Sequence, residues 1–293
     1  EEEKQLFFDI NYQGTVNLCK ALEQVGVPRA LVFISTVAVY GCEYGEMITE
    51  EHPLNGETPY AKSKIMAEEY LTKWCSEHGV VLGILRPSLL AGKNAPGNLG
   101  AMVNGVRKGF YMNIAEGKVT KSVLMTEDIA RILPMVADKG GVYNVCDTRQ
   151  PSFGELSVSV ARQLGKSKPI SIPYWMAWCM AKVGDLLGSK APINSYKLEK
   201  MTKSLTFSNE KARRELGWEP LDVLENYVIL WGIRGQKWLQ EWEFHPEGLG
   251  LSWEQHHHTV LNTLNQDRLA VIQPLSNLRQ GFQKAKNVRD QVV

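Results

Sequence analysis

A tyrosine and a lysine four residues apart carry the clearest chemical signal in this sequence. Tyr60 and Lys64 stand in the segment YAKSK, and residues at positions i and i+4 share one face of a helix. A free phenol titrates near ~10 and a positive neighbour lowers that pKa, so Lys64 is expected to favour the ionised form of Tyr60. Because a phenolate near neutral pH is a usable general base, the spacing predicts an enzyme that transfers protons.

A second part of the predicted centre follows an apolar run. Residues 30–34 read ALVFI, which is typical of a buried parallel strand, and Ser35 and Thr36 come directly after it. Ligands of open α/β sheets bind beyond the carboxyl ends of strands, so both hydroxyls are expected near a substrate oxygen, with Thr36 preferred and Ser35 as the fallback. A threonine at a strand end also commonly caps the backbone, and that interpretation stays open.

Helix and strand signals alternate around these residues and predict the elements that hold them. Helical spacing runs over residues 5–24, and a second helix begins at Pro59 and extends toward Cys75. The apolar segments 30–35 and 79–87 predict buried strands. Alternating β and α units indicate a parallel sheet with flanking helices.

Six short segments occur in one order along the chain. They are NYQGTVNL (11–18), STVAVYG (35–41), PYAKSK (59–64), LRP (85–87), YNV (143–145) and SNEKARRELGW (208–218). This series resembles the extended short-chain dehydrogenase/reductase family, in particular its NAD-dependent nucleotide-sugar epimerases and dehydratases. The resemblance implies a doubly wound parallel, Rossmann-like sheet. The glycine-rich dinucleotide turn with which that family opens does not occur here, so the sheet is expected to lack its first strands and the chain to be N-terminally truncated.

Three parts of the chain are predicted. Residues 1–150 are expected to form the NAD-binding domain, residues 151–234 a smaller, mainly helical substrate lobe, and residues 235–293 a helical extension of unassigned role. The segment 170–187 is unusually apolar for a surface helix. It is interpreted as core of the smaller lobe or as a lid, with contact to a membrane or a lipid-linked substrate as the alternative.

Roles for individual residues follow from the resemblance. Tyr60 would be the catalytic acid/base, Lys64 its electrostatic partner and a ligand of the nicotinamide-ribose hydroxyls, and Thr36 the group that polarises the substrate oxygen. The expected cofactor contacts are Asn11, Ser35, Tyr60, Lys64, Pro87 and Ser88. The expected substrate contacts are Thr36, Asn98, Leu99 and Lys121. Lys121 stands where the family often has arginine; it can neutralise a phosphate but lacks the bidentate fork, and a solvated lysine is the alternative.

The activity that the resemblance implies is NAD-dependent epimerisation of a nucleotide-activated sugar, with NADP not excluded. A 4-keto sugar-nucleotide reductase is the alternative within enzymes. A dehydratase is disfavoured, because its usual acidic pair after the threonine is replaced by Val37 and Ala38. A non-catalytic fragment without the dinucleotide loop is the alternative outside enzymes.

Composition limits the binding partners and the cellular compartment that can be expected for this chain. The net charge of +1 over 293 residues offers no basic field for nucleic acid, and five widely spaced cysteines are typical of a reducing, cytoplasmic environment. No run reaches the ~18 apolar residues of a membrane span, and membrane contact is not expected. Adjacent His256, His257 and His258 point around a helix, so no metal site is predicted. The resemblance allows a homodimer through the helices of residues 5–24 and 59–75.

Overall fold

A computed structural model describes residues 2–92, 95, 97–187, 193–227 and 269–272. The α-helices in these ranges are α1 (Glu2–Phe7), α2 (Gly14–Val25), α3 (Pro59–His78), α4 (Gly97–Lys108), α5 (Thr126–Lys139), α6 (Phe153–Gln163), α7 (Tyr174–Leu187), α8 (Ser195–Thr202), α9 (Glu210–Leu216) and α10 (Val223–Asn226). The strands are β1 (Ala30–Ile34), β2 (Gly45–Ile48), β3 (Val81–Pro87), β4 (Leu89–Ala91), β5 (Asn113–Ile114), β6 (Val123–Met125), β7 (Gly141–Val145), β8 (Ser171–Ile172), β9 (Leu205–Phe207) and β10 (Leu269–Ile272).

A parallel sheet of order β10-β1-β3-β7 forms the centre of the fold. Every residue of β1 is buried, and successive side chains point to opposite faces of a strand. Accordingly Leu31 and Phe33 pack against α2 and α3 on one face, whereas Val32 packs against α5 and α9 on the other. Helices therefore cover both faces, which confirms the predicted doubly wound α/β sheet.

The two helices expected around the catalytic residues are present. Residues 2–25 form one continuous helical stretch, in which a π-helical turn over Phe8–Gln13 separates α1 from α2. The Thr58 side chain accepts a hydrogen bond from the N–H of Ala61 at the start of α3, as helix caps do. Gly79 then ends α3 in a left-handed conformation with φ 66°. The sequence-based boundaries therefore agree closely with the structure.

One assignment beyond the central elements was wrong where the structure describes it. Residues 235–293 were expected to form a helical extension, but residues 269–272 form β10, which pairs in parallel with β1. An apolar, β-branched segment at a free sheet edge gains backbone hydrogen bonds there. Between the predicted strand after residue 30 and the predicted helix at Pro59, the chain also contains β2, which pairs with β9.

Some residues assigned to the smaller lobe pack against the central sheet instead. Residues 205–218 were assigned to the smaller lobe, but β9 pairs with β2, and Ala212 and Trp218 lie in the core that contains Val32 and Leu85 of the central sheet. Trp218 is only 1% exposed. Burial of so large an apolar side chain stabilises the packing of residues 205–218 against the central sheet. The 151–234 segment is therefore divided between both parts of the fold.

The aromatic residues of α7 do not form the lobe core. Ala177, Ala181 and Gly184 are the buried residues of this helix. Its large apolar residues are exposed; they are Tyr174, Trp175, Met176, Trp178, Met180, Val183 and Leu186. The interpretation of this segment as core of the smaller lobe was wrong for its aromatic residues, because small residues fill the space between α7 and its neighbours.

A buried polar network joins α3 to the sheet. The guanidinium of Arg86 on β3 donates to both carboxylate oxygens of Glu68 on α3, at 3.1 and 2.5 Å. It also donates to the hydroxyl of Tyr40 at 3.0 Å, and Tyr40 donates to Asn144 on β7 at 2.7 Å. All four side chains are at most 5% exposed, so each depends on the others for its hydrogen bonds.

Substituting Arg86 tests this network. Arg86→Met leaves the Glu68 carboxylate buried without its partner, so the free energy of unfolding should fall by roughly 3–5 kcal/mol, measured by urea denaturation. Lys73→Met is the control, because Lys73 forms only an exposed ion pair with Glu77 at 3.9 Å and should leave stability near that of the wild type. Equal stability of the two variants would contradict a structural role for the buried pair.

Candidate active site

Tyr60 and Thr36 meet where α3 begins and β1 has just ended. Burial raises the pKa of Tyr60, and the neighbouring Thr36 side chain lowers it by a smaller amount. Thr36 Oγ1 also accepts from the N–H of Ala38 at 3.2 Å, which leaves its O–H free to donate. A donor is what stabilises a phenolate, so Thr36 acts both as the expected backbone cap and as a partner of Tyr60.

Close backbone packing fixes the distance between these two residues. Gly41 lies just after Thr36 with φ +72°, and an added Cβ there would stand 2.3 Å from the carbonyl oxygen of Asn55. The N–H of Gly56 donates to the carbonyl of Val39 at 2.9 Å. The chain that leads into α3 is thus held against the turn that follows β1.

Lys64 is buried one helical turn after Tyr60. It is 4% exposed, and its Nζ donates to the carbonyl of Ile34 at 2.8 Å. Within the residues described, this is its one hydrogen bond. Burial lowers the pKa of Lys64 from 10.5 to about 7, and the charge of Glu68 opposes that shift. The amine is therefore held at the end of β1 with donor capacity remaining.

The expected net lowering of the Tyr60 pKa is not seen, because burial outweighs the other effects. Lys64 Nζ lies 6.0 Å from the centroid of the Tyr60 ring, but burial raises the pKa of Tyr60 above its usual value. Desolvation disfavours the charged form of both groups. Spacing in the sequence places the pair on one helix face, but it does not reveal how deeply both are buried.

Asn11 supports the first turn of α3 from the π-helical turn. Its Nδ2 donates to Ser63 Oγ at 2.9 Å, and Ser63 Oγ donates to the carbonyl of Tyr60 at 2.8 Å. Asn11 is fully buried, and its Oδ1 has no partner among the described residues. The side chain thus positions Tyr60 through Ser63.

Ser35 and Ser88 bring hydroxyls to the carboxyl ends of two paired strands. The N–H of Ser35 donates to Leu85 on β3 at 2.7 Å, and the N–H of Ser88, next to Pro87, donates to Val145 at 3.0 Å. Both hydroxyl oxygens are buried without a hydrogen-bond partner in the described part of the chain. Buried unpaired polar atoms are rare in proteins, so this edge is suited to a polar ligand.

The expected substrate contacts divide into three cases. Leu99 is completely buried in the core around α4 and α6, so core packing alone explains a leucine at this position. Asn98 is exposed on the first turn of α4. Lys121 is half-buried, and burial first and then the charge of Lys200 lower its pKa.

Ser63, Glu68 and Lys200 escaped the sequence reasoning. Glu68 is four residues after Lys64, and this i, i+4 spacing could have identified it. Ser63 offers no comparable signal, because its partner Asn11 is 52 residues away. Lys200 lies near Lys121 only because the chain folds back at α8, and the sequence does not reveal this.

Metal ligation and membrane spanning find no support in the described residues. No group of three or more His, Cys, Asp or Glu side chains that could hold a metal occurs in the described ranges. His256, His257 and His258 lie outside them. In the same ranges, every helix is too short or too polar to cross a membrane.

Known proteins resemble this chain in sequence and in fold. Residues 1–146 match the sequence profile of the NAD dependent epimerase/dehydratase family. N-acetyl-alpha-D-glucosaminyl-diphospho-ditrans,octacis-undecaprenol 4-epimerase from Escherichia coli O157:H7 is 30% identical over 217 residues, which are 70% of this chain and 65% of that protein. UDP-glucose 4-epimerase from Vibrio cholerae is 26% identical over 237 residues, 75% of this chain and 67% of that protein.

A solved structure extends the likeness to three dimensions. UDP-glucose 4-epimerase from Thermotoga maritima, crystallised with UDP-glucose, superposes with a TM-score of 0.61 at 20% identity. The match covers 81% of this chain and 73% of that one. It shows a shared fold, whereas this chain spans just under two thirds of the E. coli relative.

The buried amine of Lys64 predicts a dependence of stability on pH. Between pH 7 and about 10.4 the unfolded chain holds the Lys64 proton and the folded chain does not, so stability should rise with pH. The predicted gain from pH 7 to 8.5 is about 1–2 kcal/mol in urea denaturation, and Lys64→Met should abolish it. Lys62→Met, at an exposed position of α3, should keep it; the same slope in the Lys64 variant would refute the assignment.

Proposed function

Because this chain belongs to the NAD dependent epimerase/dehydratase family, we propose that it catalyses epimerisation of a nucleotide-activated sugar. The observation that carries this proposal is the position of Tyr60 beside Thr36 at the carboxyl edge of a parallel sheet. Lys64 is buried beside this pair. A base, an oxygen-binding hydroxyl and an amine are thus collected where α/β proteins bind ligands.

The residues at this edge fit a dinucleotide. The unpartnered hydroxyls of Ser35 and Ser88 and the remaining donors of Lys64 Nζ could bind its polar groups. Pro87 would contact it through backbone atoms, and Asn11 would hold Tyr60 beside it through Ser63. When bound, NAD supplies an acceptor for the hydride removed from the sugar carbon. With Tyr60, these are the cofactor contacts named from the sequence.

Proton handling would be the work of Tyr60 and Thr36. In the proposed reaction Tyr60 Oη takes the proton of a sugar hydroxyl and later returns it, and Thr36 donates a hydrogen bond to the oxygen that has lost its proton. The buried phenol has a raised pKa, so it would have to give its own proton to solvent before it can take one from the sugar, and a charged partner that stabilises the phenolate would favour that loss. Lys64, whose pKa is about 7, could provide that charge in its protonated form.

The diphosphate of the substrate would contact Lys121, with Asn98 beside it. Half-burial and the neighbouring charge of Lys200 lower the pKa of Lys121, and an anion between the two amines would relieve their repulsion. Leu99 would contribute only to the packing of α4. A lysine binds phosphate as a point charge, so moderate affinity is expected.

A lipid-linked sugar diphosphate is the second candidate substrate. The E. coli relative at 30% identity is named for epimerising a sugar carried on diphospho-undecaprenol. Both substrate classes present a sugar on a diphosphate, and the exposed apolar helix α7 favours the lipid-linked class. The reaction at Tyr60 would be the same for each.

Turnover assays with Tyr60→Phe test the proposal. The full chain would be incubated with NAD and UDP-glucose, UDP-N-acetylglucosamine or a polyprenyl-diphosphate sugar, and the C4 epimers quantified by chromatography. Removing the phenolic oxygen should lower kcat by roughly 10²–10⁴. Tyr70→Phe, on the same helix, should retain activity.

In the same assay, Lys121→Met should raise KM more than it lowers kcat.

The outcomes separate the alternatives. Equal turnover of Tyr60→Phe and the wild type would overturn the mechanism. Consumption of NADH with a 4-keto sugar nucleotide, without epimer formation, would instead establish a reductase. A lack of both activities and of NAD binding would indicate a non-catalytic chain.

A further inference from the structure

Helix α7 presents its apolar residues in the reverse of the usual orientation. Ala177, Ala181 and Gly184, at positions i, i+4 and i+7, are buried, and this side packs on Ile172 and Leu198. The opposite side carries, in order, Trp175, Trp178, Cys179, Lys182, Val183 and Leu186, all of them exposed. We call this side the α7 face. A surface helix normally turns its large apolar residues inward, so the α7 face needs a partner.

The size of the α7 face argues against accidental exposure. Trp175 is 65% exposed and Leu186 is 88% exposed, and tryptophan is among the residues enriched where a membrane meets water. Single exposed apolar side chains are ordinary, whereas a contiguous patch marks an interaction surface. The 14 residues of α7 extend about 21 Å, which is shorter than the ~30 Å hydrocarbon core of a bilayer. The helix suits a position along an interface.

The sequence that contains α7 is rich in lysine, which favours an anionic partner. Residues 166–203 contain seven lysines and only two acidic residues, Asp185 and Glu199, a net of +5, although the whole chain carries +1. Three of these lysines form ion pairs, with Asp185, Glu199 and Glu43, and the stretch keeps its excess of positive charge. Lys182 lies on the face itself, with its Nζ 5.6 Å from the centroid of the Trp178 ring. Lysines that flank an apolar face bind anionic headgroups while their stems stay among apolar groups. A second copy of the chain would bring two such positive surfaces together, which a two-fold interface disfavours.

A rigid connection links the α7 face to the proposed substrate region. Asp185 accepts hydrogen bonds from the N–H and the hydroxyl of Ser195, at 2.9 and 2.6 Å, and so fixes α7 to the start of α8. Helix α8 carries Lys200, whose charge acts on Lys121. The face and the proposed diphosphate contact therefore belong to one packed unit.

We infer that the α7 face binds the surface of an anionic lipid bilayer, with Trp175, Trp178 and Leu186 among the headgroups and the lysines on the phosphates. Bilayer binding would hold the proposed catalytic centre near sugars carried on lipid diphosphates. That purpose rests on the proposed function, but bilayer binding itself does not require turnover.

Co-sedimentation of the full chain with lipid vesicles tests the inference. Binding to phosphatidylcholine vesicles that contain about 30% phosphatidylglycerol should be strong, and it should weaken with added salt and without the anionic lipid. The double variant Trp175→Ser/Trp178→Ser should bind at least about tenfold more weakly. The control Val25→Ser/Met135→Ser removes exposed apolar residues of α2 and α5 and should bind as the wild type does. Circular dichroism checks that all variants are folded.

Each result that would contradict bilayer binding has a different meaning. Failure of the wild type to bind anionic vesicles, or equal binding by the tryptophan variant, would overturn the inference. A dimer in analytical ultracentrifugation that the tryptophan variant dissociates, with vesicle binding unchanged, would assign the face to a second copy instead. Since vesicle binding is scored without substrate, inactive enzyme that still binds vesicles would refute only the proposed function.

Discussion

The buried ion pair between Glu68 and Arg86 is the interaction on which the arrangement of this fold depends. It joins the helix that carries Tyr60 and Lys64 to the central strand β3, and Tyr40 and Asn144 extend it to β7. Removing two charges from water costs several kcal/mol each, and the pair is tolerable because Arg86 donates to both oxygens of Glu68 and to Tyr40. The same geometry sets the electrostatics of the centre, since the Glu68 carboxylate raises the pKa of Lys64 against the effect of burial.

Burial then separates the roles of the two residues at the centre. Both charged forms are disfavoured, so Tyr60 is neutral and Lys64 titrates near pH 7 in the free protein. A hydroxyl from Thr36 and an amine one helical turn away surround a phenol that still needs a counter-charge to ionise. Such a centre would act as a base only after the phenol has lost its own proton, which the charge of a protonated Lys64 would favour.

The sequence predicted the local features well and the long-range ones less well. Tyr60, Lys64 and Thr36 could be found because their relations are short: a helical spacing, or a strand followed by a hydroxyl. The hydrogen bond between Asn11 and Ser63 joins residues 52 positions apart, and no local pattern predicts it. The apolar composition of α7 was visible, but its exposure was not, because hydrophobicity alone does not say which neighbours are small enough to pack. Strand β10 was missed because its partner β1 lies far away along the chain, and an apolar segment of four residues gives little local signal.

Retention of label at the reacting carbon tests hydride transfer at the Tyr60 centre most directly. The full chain with NAD would be given the sugar that it inverts, deuterated at the inverted carbon, and the product analysed by mass spectrometry in ordinary water. A product that keeps its deuterium after inversion is predicted, because the hydride taken from the sugar returns to the same carbon. An inverted product in which hydrogen from water has replaced the deuterium would contradict the mechanism.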